Sequence, residues 1–284
     1  MMATEQENWT EVIKPKKGIF DLRLNELWPY RDLLVLLIRR DFVSVYKQTI
    51  LGPLWYLMQA LFTTITFTII FGKVANLPTD GVPQPLFYMA GIVCWGYFSQ
   101  CLTKTSNTFT SNAGIFGKVY FPRLIVPIST VISNLVGFGI QLIMFLCFLV
   151  FYYFQGLTIH LNTALLLFPV LIILMAGMGL GFGIIISSLT TKYRDLQYLV
   201  AFGVQLLMYA TPVIFPLSFF GGKLHTLMLL NPMTSIVETF KYAFLGSGTF
   251  SWFYLSYSAV FTLFVLFIGA VLFNRVEKSF MDTV

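Results

Sequence analysis

Between Arg123 and Lys192 the chain runs for 68 residues, Leu124 to Thr191, without a single Asp, Glu, Lys or Arg. A helix needs about 20 apolar residues to cross the hydrocarbon of a bilayer, so this run is too long for one crossing and long enough for two. Its one polar break near the middle is Gln155-Gly156, followed by His160-Leu161-Asn162. The run is therefore expected to be a membrane hairpin that turns there, with both charged ends on one face. The other charge-poor runs extend the pattern to six spans, at about 54–71, 86–102, 127–154, 162–189, 196–217 and 253–273. The expected fold class is an all-α integral membrane protein. A lead at 1–29 and an interfacial helix at 30–47 precede the membrane unit at 48–274, and a short tail follows at 275–284.

Only 11% of the residues are charged and 57% are apolar, against roughly 25% charged in an ordinary soluble domain, which excludes a water-soluble core. Positive charge in short loops tends to stay in the cytoplasm. The amino-terminal segment, the 104–123 loop, the turn at Lys192 and Arg194, and the tail hold all Lys and Arg except Lys73, Lys223 and Lys241. Both termini are then cytoplasmic, in the inner or plasma membrane, as six crossings require. The net charge of +6 calls for no nucleic-acid partner, because anionic lipid heads attract such segments. No removable signal peptide opens the chain; the first span serves as its own insertion signal. Cys94, Cys101 and Cys147 fall inside expected spans and are read as small buried apolar residues.

Leu34, Leu37, Ile38, Phe42 and Val45 recur at helical spacing while Arg31, Asp32, Arg39, Arg40 and Lys47 gather on the other side. Such a helix is too charged to cross and lies in the headgroup layer. The loop after the second span ends in Gly117-Lys118-Val119-Tyr120-Phe121-Pro122-Arg123, aromatics and cations together beside a bilayer, which suits a docking partner. Gly177, Gly179, Gly181 and Gly183 set small residues at i and i+4 twice over, the spacing that lets helix backbones approach in lipid. Pro212 and Pro216 break the fifth span near its end. Residues 224–245 are expected as two short re-entrant helices turning at Asn231-Pro232, because a seventh crossing would bury Glu238 and Lys241 and put Arg275 outside. Glu238 and Lys241, three apart, are placed to share a helix face and partly neutralise each other.

The chemistry of an enzyme is missing. His160 and His225 stand far apart without Cys or carboxylate spacing for a metal. No G-x-x-x-x-G-K-[ST] loop is present, so ATP is not hydrolysed on this chain, and no buried acidic relay suggests ion coupling. A glycosyl- or phosphotransferase would need an acidic metal site that Asp195 beside Arg194 does not supply. Trp55, Tyr56, Trp95, Tyr97 and Tyr209 pair an apolar ring with a polar handle, as needed for stacking on sugar faces or for an interfacial belt.

Four stretches together resemble the membrane subunit of ATP-binding-cassette exporters of polysaccharide, which move O-antigen, capsule and teichoic acid chains. They are Arg40-Asp41-Phe42 with Tyr46-Lys47-Gln48-Thr49-Ile50-Leu51-Gly52-Pro53-Leu54-Trp55; Lys118 to Arg123; Tyr193-Arg194-Asp195 with Thr211-Pro212-Val213-Ile214-Phe215-Pro216; and Leu230-Asn231-Pro232-Met233. The resemblance implies a homodimer with two copies of a cytosolic ATPase that bind ATP and Mg, so that this chain holds no cofactor. It implies a lipid-linked polysaccharide as substrate; the alternative on the same fold is an exporter of drugs or small lipids, and from another class a passive channel. By the same resemblance Ile115, Lys118, Tyr120, Phe121 and Arg123 couple to the ATPase. Arg39, Arg40, Tyr46 and Lys47 form a cytoplasmic gate, and Asn231, Pro232, Glu238 and Lys241 belong to the external one. The path would run along the first and fifth spans, lined by Trp55, Tyr56, Trp95, Tyr97, Tyr209 and Phe215. Val45, Ala60 and Gly137 depart from residues common in that family at the gate, the first span and the third.

Overall fold

The computed structural model describes residues 27–47, 50–116, 121–157, 162–190, 193 and 195–280, and every regular element among them is helical. Lys118, Tyr120, His160, Lys192, Arg194, the lead through residue 26 and the last four residues lie outside the described residues, as does the side chain of Tyr46. The helices are α1 (Arg31–Lys47), α2 (Leu54–Phe67, continued by a π-helical turn Thr68–Val74), α3 (Gln84–Ser106), α4 (Thr108–Phe116) and α5 (Ile125–Phe154). After them come α6 (Phe168–Thr190), α7 (Leu196–Tyr209), α8 (Gly222–Leu230), α9 (Pro232–Leu245) and α10 (Trp252–Phe280). Four segments are long and apolar enough to cross a membrane: Leu54–Val74, Ile125–Phe154, Thr163–Thr190 and Trp252–Val276.

The less apolar α3 is the axis of the bundle. It is buried almost continuously from Leu86 to Leu102 and packs on α2, α5, α6, α7 and α9. Its polar residues are tolerated because neighbouring helices, rather than lipid, surround it. Trp95 and Tyr97, expected along a transport path, are enclosed here, Tyr97 against Phe138 at 5.0 Å between ring centres. Both are buried within the bundle, with Trp95 bordering a small apolar cavity.

The glycines of α6 make its two contacts close. A Cβ at Gly179 would stand 2.6 Å from the Cys101 Cβ, and one at Gly183 would stand 2.5 Å from the Thr105 Cβ, both on α3. On the opposite side, Gly181 faces Val265 and Gly177 faces Thr262 of α10, while Gly269 of α10 leaves room for Ile184. The double i, i+4 pattern is thus one helix with two seams. Where lipid tails are as apolar as leucine, this close packing is what draws helices together.

The structure adds detail to the expected layout of spans in three places. The fifth ends at Tyr209 instead of 217, because Pro212 and Pro216 have no N–H to continue the ladder; at about 1.5 Å per residue its helix falls short of a roughly 30 Å core. The loop after α3 opens with a helix, Thr108–Phe116. Cys147 lies exposed on α5, whereas Cys94 and Cys101 are buried.

Gly183→Ala is expected to lower stability by about 1–3 kcal/mol, since the new methyl meets a backbone-anchored carbon. Gly139→Ala, with nothing within 4 Å of the added carbon, is the matched control. Thermal unfolding of the two purified variants in detergent decides: equal midpoints would dissolve the seam.

Candidate functional site

Functional side chains gather at the two ends of the bundle. At the α1–α4 end, α1 lies along α5 with Leu37 buried and Val35, Leu36 and Phe42 exposed. The apolar stripe is therefore split: part seats the helix and part remains open. Arg39, Arg40 and Lys47 are exposed on α1, and Arg40 donates from both Nε and a terminal nitrogen to Asp41 Oδ1, at 3.0 and 2.8 Å.

Between α1, the start of α2, the end of α3, α4 and the first turns of α5 is a cavity of about 590 Å3. Its wall is polar. Lys104 Nζ donates to Asn134 Oδ1 at 2.7 Å, and Asn134 Nδ2 reaches Cys101 Sγ at 3.8 Å. Asn107 and Asn112 spend their amide N–H on the carbonyls of Thr103 and Thr108, which leaves their oxygens as acceptors. The Ser133 hydroxyl is buried without a hydrogen-bond partner. Tyr56 also lines the cavity, its ring packed over Gly137, where any side chain would collide with it.

Next to this cavity an aromatic cluster holds α4. Phe109 stacks on Phe273 of α10 at 4.5 Å, Phe116 stands 5.8 Å from Phe121, and the Arg123 guanidinium lies 5.5 Å from the Phe116 ring centre. Leu37 of α1 joins the same cluster. Phe121 and Arg123, expected to meet a partner directly, instead face inward. Of the described residues expected to make that contact, Ile115 is the one left exposed, at 40%.

At the α8–α9 end, Asn231 caps α9 by accepting from Met233 N at 3.0 Å, while Pro232 sets the first helical position. The Asn231 amide also donates to Ala210 O and Thr211 Oγ1, both at 2.9 Å. Lys241, fully buried, donates to Pro212 O and sits 3.6 Å from the centre of the Phe87 ring. The Pro212 carbonyl is left open to such a donor. Four residues after Pro212 stands Pro216, which has no N–H to offer it. Glu238 does not pair with Lys241 despite their spacing: its Oε2 accepts from Thr249 N at 3.0 Å, tying down the loop after α9, and its Oε1 is buried without a partner. Gly246, at φ 69°, ends α9 in the left-handed turn that glycine adopts freely.

Sequence reasoning missed Lys104, Asn107 and Asn134. The available signal was an amide set 11 residues inside the charge-free run, facing the first lysine beyond the preceding span. Trp55 and Tyr209 are exposed, Tyr56 is half-buried, and Phe215 packs edge-on against Phe220 at 4.7 Å. Among the described residues no cluster of His, Cys, Asp and Glu could hold a metal.

The model of the ABC-2 type transporter family matches residues 32–245. The O-antigen export system permease protein RfbA of Klebsiella pneumoniae is 27% identical over 255 residues, covering 88% of this chain and 94% of that protein. A protein of the same name from Myxococcus xanthus is 30% identical over 224 residues, 78% of this chain and 83% of its own. The polysialic acid transport protein KpsM of Escherichia coli is 24% identical over 251 residues, with 87% and 94% covered.

Lys241→Met is expected to cost about 1–3 kcal/mol, because it strips the buried Pro212 carbonyl of its donor. Thermal unfolding is the measurement; a wild-type midpoint would mean that the carbonyl needs no partner.

Proposed function

We propose that this chain, which belongs to the ABC-2 type transporter family, is the permease of an ATP-driven exporter that passes a lipid-linked polysaccharide across the cytoplasmic membrane. One observation carries the reading: proteins named for O-antigen export and polysialic acid transport align with it over most of their own length. Six spans would be α2, α3, α5, α6, α7 with the segment after it, and α10. The α8–α9 pair would dip into the membrane from outside, and both termini would be cytoplasmic. The absence of any buried residue along α7, with Tyr198, Leu199 and Phe202 all exposed, supports a homodimer whose second copy covers that helix and shares the path with it.

Two copies of a cytosolic ATPase would bind ATP and Mg and dock below. Ile115 with Lys118 and Tyr120 would form the contact surface. The inward Phe121 and Arg123 would pass motion on through the Phe109, Phe116 and Phe273 cluster to α10 and, through Leu37, to α1. There Arg39, Arg40, Tyr46 and Lys47 border the cytoplasmic opening. Trp55, Tyr56, Tyr209 and Phe215 offer rings to a passing sugar chain. Asn231, Pro232, Glu238 and Lys241 hold the external closure. ATP binding would shift the population between closed and open channel.

A strain lacking this chain is expected to retain lipid-linked glycan in its cytosolic leaflet, as seen by glycan staining of inner-membrane extracts; normal surface polymer would refute export. Lys118→Glu is expected to abolish stimulation of the partner's ATP hydrolysis while leaving membrane insertion intact. Unchanged stimulation would remove the 117–120 segment from the contact.

A further inference from the structure

The cavity under α1 is far larger than structural water needs. Its 590 Å3 equals roughly twenty water volumes at about 30 Å3 each and falls within the ~300–1,000 Å3 of small-molecule sites. Its wall combines two kinds of chemistry. The Asp41 carboxylate also lines the cavity but is held by two of the five N–H groups of Arg40, and Lys104 spends one hydrogen on a neutral amide, so the cavity keeps a net cationic wall with free donors on both cations. Beside them stand the carbonyl oxygens of Asn107 and Asn112 and the unpartnered Ser133 hydroxyl. Charged donors suit a phosphate; neutral acceptors and a hydroxyl suit the hydroxyls of a sugar ring. Phe42 lines the same cavity and continues outward into the exposed apolar flank of α1, where an acyl or isoprenoid tail would stay in lipid.

We propose that this cavity binds the phosphate-linked sugar at the lipid end of the exported glycan, with phosphate on Lys104 and Arg40 and the first sugar on Asn107, Asn112 and Ser133. The assignment rests on the export function above and names the part of the substrate this end of the protein holds. Lys104 recognises charge, and Ser133 gains its missing partner when the headgroup arrives.

The test is equilibrium dialysis of the purified permease–ATPase complex in lipid nanodiscs against three probes: decyl diphospho-N-acetylglucosamine, the phosphate-free decyl glycoside, and inorganic diphosphate. Wild type is expected to bind the first at least tenfold more tightly than either of the others. Lys104→Gln, which leaves a polar donor but no charge, is expected to lose about tenfold in affinity, and Lys104→Arg is expected to retain most of it. Ser133→Ala removes no hydrogen bond of the unliganded protein, so it tests the site independently of folding; a loss of about threefold is expected. Unchanged affinity in both Lys104→Gln and Ser133→Ala would overturn the site. Equal binding of the decyl glycoside would remove the phosphate from it, and equal binding of inorganic diphosphate would reduce it to a free-anion site. Binding is read without transport, so a deletion strain with normal surface polymer would refute export and leave the dialysis result to stand by itself.

Discussion

The close contact of α6 with α3 on one side and α10 on the other is what the rest of the molecule depends on. In lipid no water is released when two helices meet, so association needs backbone-to-backbone fit. Four glycines on one helix supply it twice. Gly179 and Gly183 bring α3 in, and Gly177 and Gly181 bring α10 in. Once α3 is enclosed it can carry groups that a lipid-facing helix could not, including Tyr97, whose hydroxyl donates to Val131 O at 3.4 Å, and Lys104 at its end. The polar functions at both ends therefore rest on an apolar contact between them.

Backbone satisfaction shapes the α8–α9 end. Two prolines four apart strip donors from the end of α7, and buried irregular backbone survives only where protein supplies replacements. Asn231 and Lys241 do so from α8–α9, each reaching a different carbonyl of the broken segment. A fully buried lysine is costly unless its charge is used. Here it is shared between a carbonyl and the face of Phe87, which leaves Glu238 to hold the following loop. Lys241 is thus a structural hinge pin between α3, the end of α7 and α9.

Much of this was legible in the sequence, for a physical reason. The two long apolar helices of the charge-free run, the glycine seams, the break after Tyr209 and the turn at Asn231-Pro232 are written in local patterns: charge-free length, i and i+4 spacing, and missing N–H groups. Partners across the fold were not legible. Periodicity cannot say that Lys241 would choose a proline carbonyl over the glutamate three residues away, because that choice depends on where α7 unravels. It also cannot aim an aromatic ring: Trp95 and Tyr97 have the same composition signal as Trp55 and Tyr209, yet the first two pack inside and the others stay exposed. The Lys104–Asn134 contact joins α3 and α5, whose relative rotation is set by the helices around them.

The two ends are joined by a single rigid element. α3 carries Phe87 and Gly91 at one end, against Lys241 and Val213, and Lys104 and Asn107 at the other, in the cavity wall. At about 1.5 Å per residue its 23 residues span roughly 34 Å, close to the thickness of the hydrocarbon core. A packed helix of this kind moves as a unit, because tight interiors are not continuously deformable. If the cavity beneath α1 admits a headgroup as proposed, displacing α3 would also disturb the Lys241 contact that fixes the broken end of α7. On the export reading, alternate opening of the two ends would need no long relay of side chains, because one helix packed closely along α6 reaches both.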